Sequence, residues 1–468
     1  MKESTVMKLI TILLASLLIA FFCSCQKYLD VKPTTDLVVP QTLDDYFRLM
    51  DNYQIMNSSP ILGEVSSDNY YIPDQKTLAV IPQIFHRNAY LFMESFGEGT
   101  SVIHDWNYSY KQIFVANLVL TGLNEIPRND GNADQWDYAK GWASFSRAYA
   151  YFNLTQLYSS PYDSRTAATE LGVPLRILPG VDEEYQRASL ADTYNLIRED
   201  MGAAAQILPE GLMVDNRNRP TKEAALGALA RIYLSMREYE LALETVNSCL
   251  DLYDQLLDFN QLKDLPSPYS LPLNHTECLW ASMLGANYRI FSRGLMPGLF
   301  IDTLLYSSYQ NGDLRKTMFF MPSNSYAGKA NINWSFGHQT APFGGLAVDE
   351  MYLIKSECLV RTGSVEEGIS VLNQLLSTRF EEGEFNPYSE SRQAEALEIV
   401  LSERRKELVF RGLRWQDIRR LNLEGKGIAI ERNFEGQNYR LDPNSNRFAL
   451  PIPSEEIRLN NLTQNLRN

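Results

Sequence analysis

The chain has 468 residues, 45% of them hydrophobic, and a formal net charge of −14. Nucleic-acid binding needs a basic face, and electrostatic docking on an anionic membrane needs basic residues, so this acidity argues against both. Only three of the five cysteines lie beyond residue 25, which excludes a disulfide scaffold.

The first 24 residues have the pattern of an export signal. Lys2 and Lys8 precede an apolar run over residues 9–22. This run of about 14 residues is too short to span a bilayer, which takes roughly 20. A small residue, Ser24, then precedes Cys25, as in the bacterial lipobox. We therefore predict a signal peptide over 1–24 and lipidation of Cys25, with a plain secretory peptide as the alternative.

Helical spacing begins after a tether at residues 25–42, which contains two prolines and has no helical period. Apolar residues recur every three or four positions over 105–126, 134–158 and 190–208, and Pro209 ends the last of these stretches. These patterns predict a mostly α-helical protein with helices over 43–257 and 348–421.

Two helix pairs, at 224–252 and 349–380, have the spacing of tetratricopeptide repeats. Ala242 and Gly368 occupy the position at which the two helices of such a repeat approach closely. Because these repeats usually need about three or more copies to bury a core, we expect the remainder from pairs at 105–158 and 395–421. The predicted fold class is a tetratricopeptide-like scaffold of helical pairs.

Residues 258–347 differ from the helical parts: they contain six prolines, eight glycines and seven asparagines. We predict a long, irregular, loop-rich insertion, which is where binding residues tend to lie on a rigid scaffold. The C-terminal segment 422–468 is also predicted to be irregular.

Motifs of catalysis are absent from the sequence. It has no phosphate-binding loop, no dinucleotide-binding glycines and no nucleophile elbow, and its four histidines lack metal-ligand spacing. We therefore predict no enzyme activity, no cofactor and no metal. A glycoside hydrolase stays open as an alternative, because its two carboxylates have no fixed spacing in sequence.

The densest run of charge lies at residues 402–420. It could form an anion site, or a helix pair laced with ion pairs such as Glu407 with Arg411 four residues on. Interspersed apolar residues, among them Phe410 and Trp415, favour the second interpretation.

Aromatic residues in the irregular parts indicate a ligand site. Sugar rings stack their C–H faces on flat side chains, while amides and charged groups pair with the hydroxyls. Three segments, at 68–71, 287–291 and 331–336, place rings beside such groups. The candidate ligand-binding residues are Tyr70, Tyr71, Tyr288, Asn333, Trp334 and Phe336. The alternative is that these rings form the core of the insertion.

Motifs along nearly the whole chain, in the order in which they occur, resemble those of the SusD/RagB family of Bacteroidetes lipoproteins. The matching segments are Cys25–Pro33, Trp106–Asn117, Arg147–Phe152, Gly172–Leu175, Arg219–Lys222, Glu403–Leu408 with Arg414–Arg420, Leu450–Pro453 and Asn461–Asn465. One departure is the segment Phe410–Gly412: the family usually has an acidic residue directly before the glycine, where this chain has Arg411, so we expect altered ion pairing there.

The resemblance implies a single SusD-like domain over 43–468, no catalysis, and a lipid anchor in the outer membrane facing the cell exterior. It also implies a SusC-type TonB-dependent transporter as partner, on which the protein sits as a lid that captures nutrient. The implied ligand is a glycan, with a peptide as the alternative. A protein-only scaffold, the usual role of tetratricopeptide repeats, is the remaining class.

Overall fold

The computed structural model describes residues 40–97, 103–180, 185–213, 215–262, 274–285, 290–291, 298–322, 330–332 and 341–467. Residues 42–468 form one compact unit. Over the described residues the chain is mostly helical, with short strands that pair two by two. None of the helices described is long and apolar enough to cross a bilayer.

The helices follow one another along most of the chain. They are α1 (Leu43–Met50), α2 (Tyr53–Met56), α3 (Leu62–Ser66), α4 (Gln75–Val80), α5 (Ile84–Tyr90), α6 (His104–Gly122), α7 (Ala133–Tyr158), α8 (Leu190–Ile207), α9 (Lys222–Met236), α10 (Tyr239–Leu252), α11 (Thr303–Ser308), α12 (Leu314–Phe319), α13 (Val348–Arg361), α14 (Val365–Ser377), α15 (Gln393–Glu407), α16 (Arg414–Asn422) and α17 (Ser454–Asn460).

The strands are two to five residues long. They are β1 (Ser58–Ser59), β2 (Tyr70–Tyr71), β3 (Leu171–Pro174), β4 (Arg187–Ser189), β5 (Cys278–Trp280), β6 (Met283–Leu284), β7 (Phe300–Ile301), β8 (Phe320–Pro322), β9 (Ala330–Ile332), β10 (Leu346–Ala347), β11 (Ile430–Phe434) and β12 (Gln437–Leu441). The pairs are β1 with β6, β2 with β7, β3 with β4, β5 with β10, β8 with β9 and β11 with β12.

A row of packed helices forms the scaffold: α6, α7, α8, α9, α10, α13 and α14 each contact the next. The two predicted repeats are α9 with α10 and α13 with α14, and the predicted fold class is confirmed. Ala242 is buried on α10. A Cβ at Gly368 would lie 2.7 Å from Cγ2 of Val360 and 2.9 Å from the carbonyl oxygen of Ser356, so only glycine allows this approach of α14 to α13.

The insertion leaves the row after α10 and returns at α13, and these two helices are neighbours. Its described parts are less irregular than predicted, because they contain α11, α12 and several strands. Two of those strands pair with the N-terminal part of the unit: β6 lies parallel to β1, and β7 lies antiparallel to β2. The insertion is therefore fastened to a segment more than 200 residues away in sequence.

Some local predictions are wrong. The expected pair at 395–421 does add to the main core, but not as a further repeat: α15 packs on α13 and α14, whereas α16 packs on α3 and α9. Residues 132–135 and 364–367 have the sequence pattern of helix capping boxes, but Asn132 and Ser364 precede α7 and α14 without a side-chain cap hydrogen bond. The Asn132 side chain instead bonds to the backbone of Asn129 and Pro127. The C-terminal segment also has regular structure, the hairpin β11–β12 and α17.

Candidate functional site

The described parts of the three aromatic segments, residues 68–71, 290–291 and 331–332, belong to one region of the structure. Strand β2 pairs with β7 in the register Tyr70 to Ile301 and Tyr71 to Phe300, and β9 lies beside β7. The ring of Phe291 meets that of Tyr70 edge-on, with centroids 5.1 Å apart. We call this region, residues 68–71, 300–304 and 330–332, the β2–β7–β9 edge. Its strands are too short to be recognised by periodicity.

The predicted site residues have different places. Tyr70 is a core residue with 2% of its surface exposed, and its hydroxyl donates to the carbonyl oxygen of Val65 at 2.8 Å. Tyr71 is half-buried, with its ring 5.7 Å from that of Phe300. The remaining candidates lie outside the described residues: Cys25, Tyr288, Asn333, Trp334 and Phe336.

Four partly exposed charges anchor this edge to the helices. Asp68, just before β2, accepts two hydrogen bonds from Arg414 of α16, at 2.7 and 2.8 Å. Arg405 of α15 lies 3.3 Å from Asp68 and 3.6 Å from Asp302, which directly follows β7. Burial alone would raise the pKa of Asp68, but the two arginines outweigh it and hold that pKa well below its usual value. The cluster is neutral as a whole, and sequence reasoning missed the part played by Asp302.

Beneath the edge, Glu64 organises the turn that leads into β2. Its carboxylate is fully buried and accepts hydrogen bonds from Ser67 Oγ, from Asn69 Nδ2 and from the backbone N–H of Gly412. Phe410 packs against Phe291, with ring centroids 5.4 Å apart. Phe410 therefore supports the edge by apolar contact.

The charged block at 402–420 is a packing element, as the favoured interpretation predicted. The predicted ion pair between Glu407 and Arg411 is wrong, because it does not form. Helix α15 ends at Glu407, and the chain turns through Phe410 (φ 58°) and Gly412 (φ 75°), so the i,i+4 geometry is lost. Arg411 pairs instead with Asp349 at 2.9 Å.

Buried ion pairs link the insertion to the helices through Glu407. Arg379 donates to Glu407 and to Glu277, each at 2.7 Å. Arg315 of α12 reaches Glu407 at 3.1 Å and Glu403 at 2.7 Å. Burial raises the pKa of Glu277 to about 7, although Arg379 acts to lower it. The arginines here are matched by internal carboxylates, so this block offers no anion site.

Two clefts lie elsewhere on the described surface. One, of about 440 Å³, is lined by residues 94–97, 103, 451–454 and 464–467. The side-chain amide of Gln464 accepts a hydrogen bond from the backbone N–H of Ile452 and donates one to its carbonyl oxygen. The side-chain amide of Asn465 donates to the carbonyl oxygens of Tyr158 and Leu450. The other, of about 290 Å³, has Arg419 among its lining residues, and this guanidinium donates to the carbonyls of Gln156 and Ser159. Their polar side chains are thus largely committed to holding the backbone.

The residues described give no support for a metal site or for a reactive cysteine. No group of three or more histidine, cysteine or acidic side chains there is arranged to hold an ion. The cysteines in this part of the chain, Cys249, Cys278 and Cys358, are buried and unbridged. Burial raises the pKa of Cys278 to about 12, so its thiol stays protonated at neutral pH.

Comparison with known proteins gives a consistent result. A family model described as "Starch-binding associating with outer membrane" matches residues 27–234, and one described as "SusD family" matches 303–467. The SusD-like protein P2 of Formosa agariphila is 24% identical over 429 residues, which cover 77% of this chain and 79% of that protein.

Solved structures agree in fold. A putative sugar binding protein from Bacteroides vulgatus has a TM-score of 0.74 at 22% identity, over 91% of this chain and 99% of that one. A SusD superfamily protein from Bacteroides thetaiotaomicron has a TM-score of 0.71 at 21% identity, over 91% and 98%. These structures show the fold. The two family models, which follow one another along the chain, show that it belongs to the SusD/RagB family.

Proposed function

We propose that this protein binds a glycan at the cell surface, without cleaving it, and delivers it to a SusC-type TonB-dependent transporter. The observation that carries the proposal is family membership over both halves of the chain, including a family described as starch-binding and outer-membrane associated. Two proteins of similar structure, both from Bacteroides, are described as SusD-like carbohydrate binding proteins.

We place the binding site at the β2–β7–β9 edge. Tyr71 offers a half-buried ring there, and Leu304 of α11 is 77% exposed beside it. Asn333 and Trp334 directly follow β9 in the chain, and Tyr288 lies two residues before Ile290 in the segment 287–291. A ring for stacking and amides for hydroxyl groups are the means by which a protein holds a sugar, and the largest flat rings dominate binding when they are central.

Asp68, one of the carboxyl groups at this edge, is unsuited to the acid step of glycan hydrolysis. A glycosidase needs one carboxyl whose pKa is raised, so that it can protonate the leaving oxygen. The pKa of Asp68 is instead held well below its usual value, since Arg414 and Arg405 stabilise the ionised form. This carboxylate therefore acts as an anchor of the backbone and is unsuited to general acid catalysis.

The location follows from the proposed anchor. Acylated Cys25 would hold the protein in the outer membrane, with residues 25–42 as the tether, and each buried CH₂ group contributes about 0.8 kcal/mol to such an anchor. A lipid anchor would leave the helical row and the β2–β7–β9 edge outside the bilayer, where they can meet both glycan and transporter.

The test uses the soluble protein of residues 26–468. We expect a glycan array to show binding to one class of oligosaccharide, calorimetry to confirm it, and a reducing-sugar assay with that glycan to show no new chain ends. Release of reducing ends would identify an enzyme. Retention of peptides from a matched peptide array, with no glycan bound, would replace the glycan with a peptide ligand.

A further inference from the structure

Arg432 of β11 joins the C-terminal hairpin to the turn before β2. Its guanidinium donates to the carbonyl oxygens of Ser66, Ser67, Tyr70 and Tyr90, at 3.2, 2.7, 3.2 and 2.7 Å. It also lies 3.8 Å above the ring centroid of Tyr90. Arg432 is 4% exposed, and among the residues described no carboxylate pairs with it.

The geometry suits arginine and no other side chain. Guanidinium is planar and has five N–H donors in a fixed fork, whereas lysine has one mobile ammonium. Three of the four carbonyls belong to five consecutive residues, 66–70, so they point at one place only if that turn keeps its shape. Without the guanidinium, these buried carbonyls would lack donors, and the turn would have to reorganise to hydrate them.

The same turn is held from two other directions. Glu64 binds Ser67 and Asn69 from within. Arg414 binds Asp68 from the helical side. Arg405 also donates to the carbonyl oxygen of Asp68 in this turn, at 2.8 Å. Arg432 reaches the main chain of the turn at three residues, and it comes from a strand 362 residues beyond Tyr70.

We propose that Arg432 is a positioning residue for ligand binding: by gathering the carbonyls of Ser66, Ser67 and Tyr70, it fixes the backbone that presents Tyr71 at the β2–β7–β9 edge. This inference rests on the proposed function and on the placement of the site at this edge. It assigns to the C-terminal hairpin a part in recognition that its distance in sequence conceals.

Arg187 provides a matched control. It is also a buried arginine that donates to main-chain carbonyls, those of Tyr158, Leu171, Gly172 and Thr463. None of these partners belongs to the turn at 66–70. Loss of Arg187 should therefore destabilise the protein in a similar way without disturbing the edge.

The experiment compares Arg432→Met, Arg432→Lys and Arg187→Met with wild type, using the soluble protein of residues 26–468. Amide hydrogen exchange is measured without ligand, and affinity is measured by calorimetry for the glycan that gives the strongest array signal. We expect exchange at residues 67–71 to rise about tenfold or more in both Arg432 variants, and glycan affinity to fall about tenfold. Arg187→Met should lower the melting temperature but keep wild-type exchange at 67–71 and wild-type affinity.

Several outcomes overturn the inference. Unchanged exchange at 67–71 in folded Arg432→Lys or Arg432→Met would show that the arginine does not order the turn. Faster exchange with unaltered affinity would show that the turn does not govern binding. An equal loss of affinity in Arg187→Met would reduce the effect to general stability. If wild type binds no glycan, the proposed function itself fails, and the role of Arg432 in binding fails with it, whatever the exchange data show.

Discussion

Arg231 of α9 and Glu350 of α13 form a buried ion pair between the two tetratricopeptide-like repeats. The arginine donates through Nε at 2.7 Å and through a terminal nitrogen at 2.5 Å, one bond to each carboxylate oxygen. It also reaches the hydroxyl of Tyr149 and the carbonyl oxygen of Gly345. A single guanidinium thus joins both repeats, α7 and the end of the insertion.

Removing this arginine should destabilise the protein strongly. Arg231→Met leaves Glu350 charged, buried and unpaired, and breaking a buried pair costs about 3–5 kcal/mol. Arg231→Met with Glu350→Leu should recover most of that loss, because no charge is then stranded. Urea unfolding gives the free energies. The exposed pair of Arg48 with Asp44 is the control, and Arg48→Met should cost less than about 1 kcal/mol. Equal costs at the two sites would contradict the prediction.

Asp105 should give the stability a distinct dependence on pH. Burial raises the pKa of its carboxyl to about 6, even though the backbone N–H groups of Leu62 and Ile61 act to lower it. The unfolded value is about 3.9, so between the two values the folded protein binds more protons than the unfolded chain. The free energy of unfolding should therefore fall as the pH rises from about 4 to about 6 and lose no more above that.

The test of Asp105 is a difference measurement, because other carboxylates titrate too. Glu357, for example, is buried, yet Arg420 and Arg361 lower its pKa to about 2, and its contribution is lost as the pH falls below about 4.5. Asp105→Asn keeps an acceptor for Ile61 and Leu62 but cannot ionise. The stability of this variant relative to wild type should rise by roughly 1–3 kcal/mol between pH 4 and pH 7. Parallel stability profiles would rule out the raised pKa.

The lipid anchor predicts that Cys25→Ala releases the protein from the outer-membrane fraction, since firm anchoring needs acyl chains on this residue. Cys23→Ala, two residues earlier, is the control and should leave the protein in the membrane. Both are expressed without the transporter, and membranes are washed with salt and carbonate before immunoblotting. A Cys25→Ala protein that still pellets would refute the lipobox.

Trp334→Ala should weaken glycan binding by about 1–3 kcal/mol and leave the melting temperature close to wild type, if the indole stacks on a sugar. If Trp334 instead belongs to the core of the insertion, the substitution should cost about 3–5 kcal/mol of stability. Calorimetry and thermal unfolding on the same samples separate the two cases. Tyr53→Ala removes a ring that is 48% exposed away from the β2–β7–β9 edge, and its affinity should match wild type.

Local pattern predicted the helices well. The repeats α9–α10 and α13–α14 are set by apolar spacing and small residues within about 30 positions, all of it visible in sequence. The candidate site was predicted only as three separate segments. Strands β2 and β7 are two residues long, and their pairing depends on contacts across some 230 residues. Nothing in the sequence near Asp68 indicates that Arg414 and Arg405 bind it.

Charged residues were the least predictable. Sequence neighbours suggested Glu407 with Arg411, but both side chains found partners on other elements once α15 ended at Glu407. Arg432 lies between Ile430 and Phe434 on the buried face of β11, although an arginine alone would be assigned to the surface. Its burial follows from carbonyl groups brought to it by tertiary structure.

Because α10 and α13 are neighbours, the insertion between them can change in length during evolution. Residues 253–347 leave the scaffold at α10 and rejoin it at the neighbouring α13, so the packing of the helical row does not fix the length of this segment. Doubling a loop costs only about 0.6 kcal/mol in closure entropy. Loops of this segment that do not carry its buried ion pairs can therefore be lengthened while the repeats stay in register.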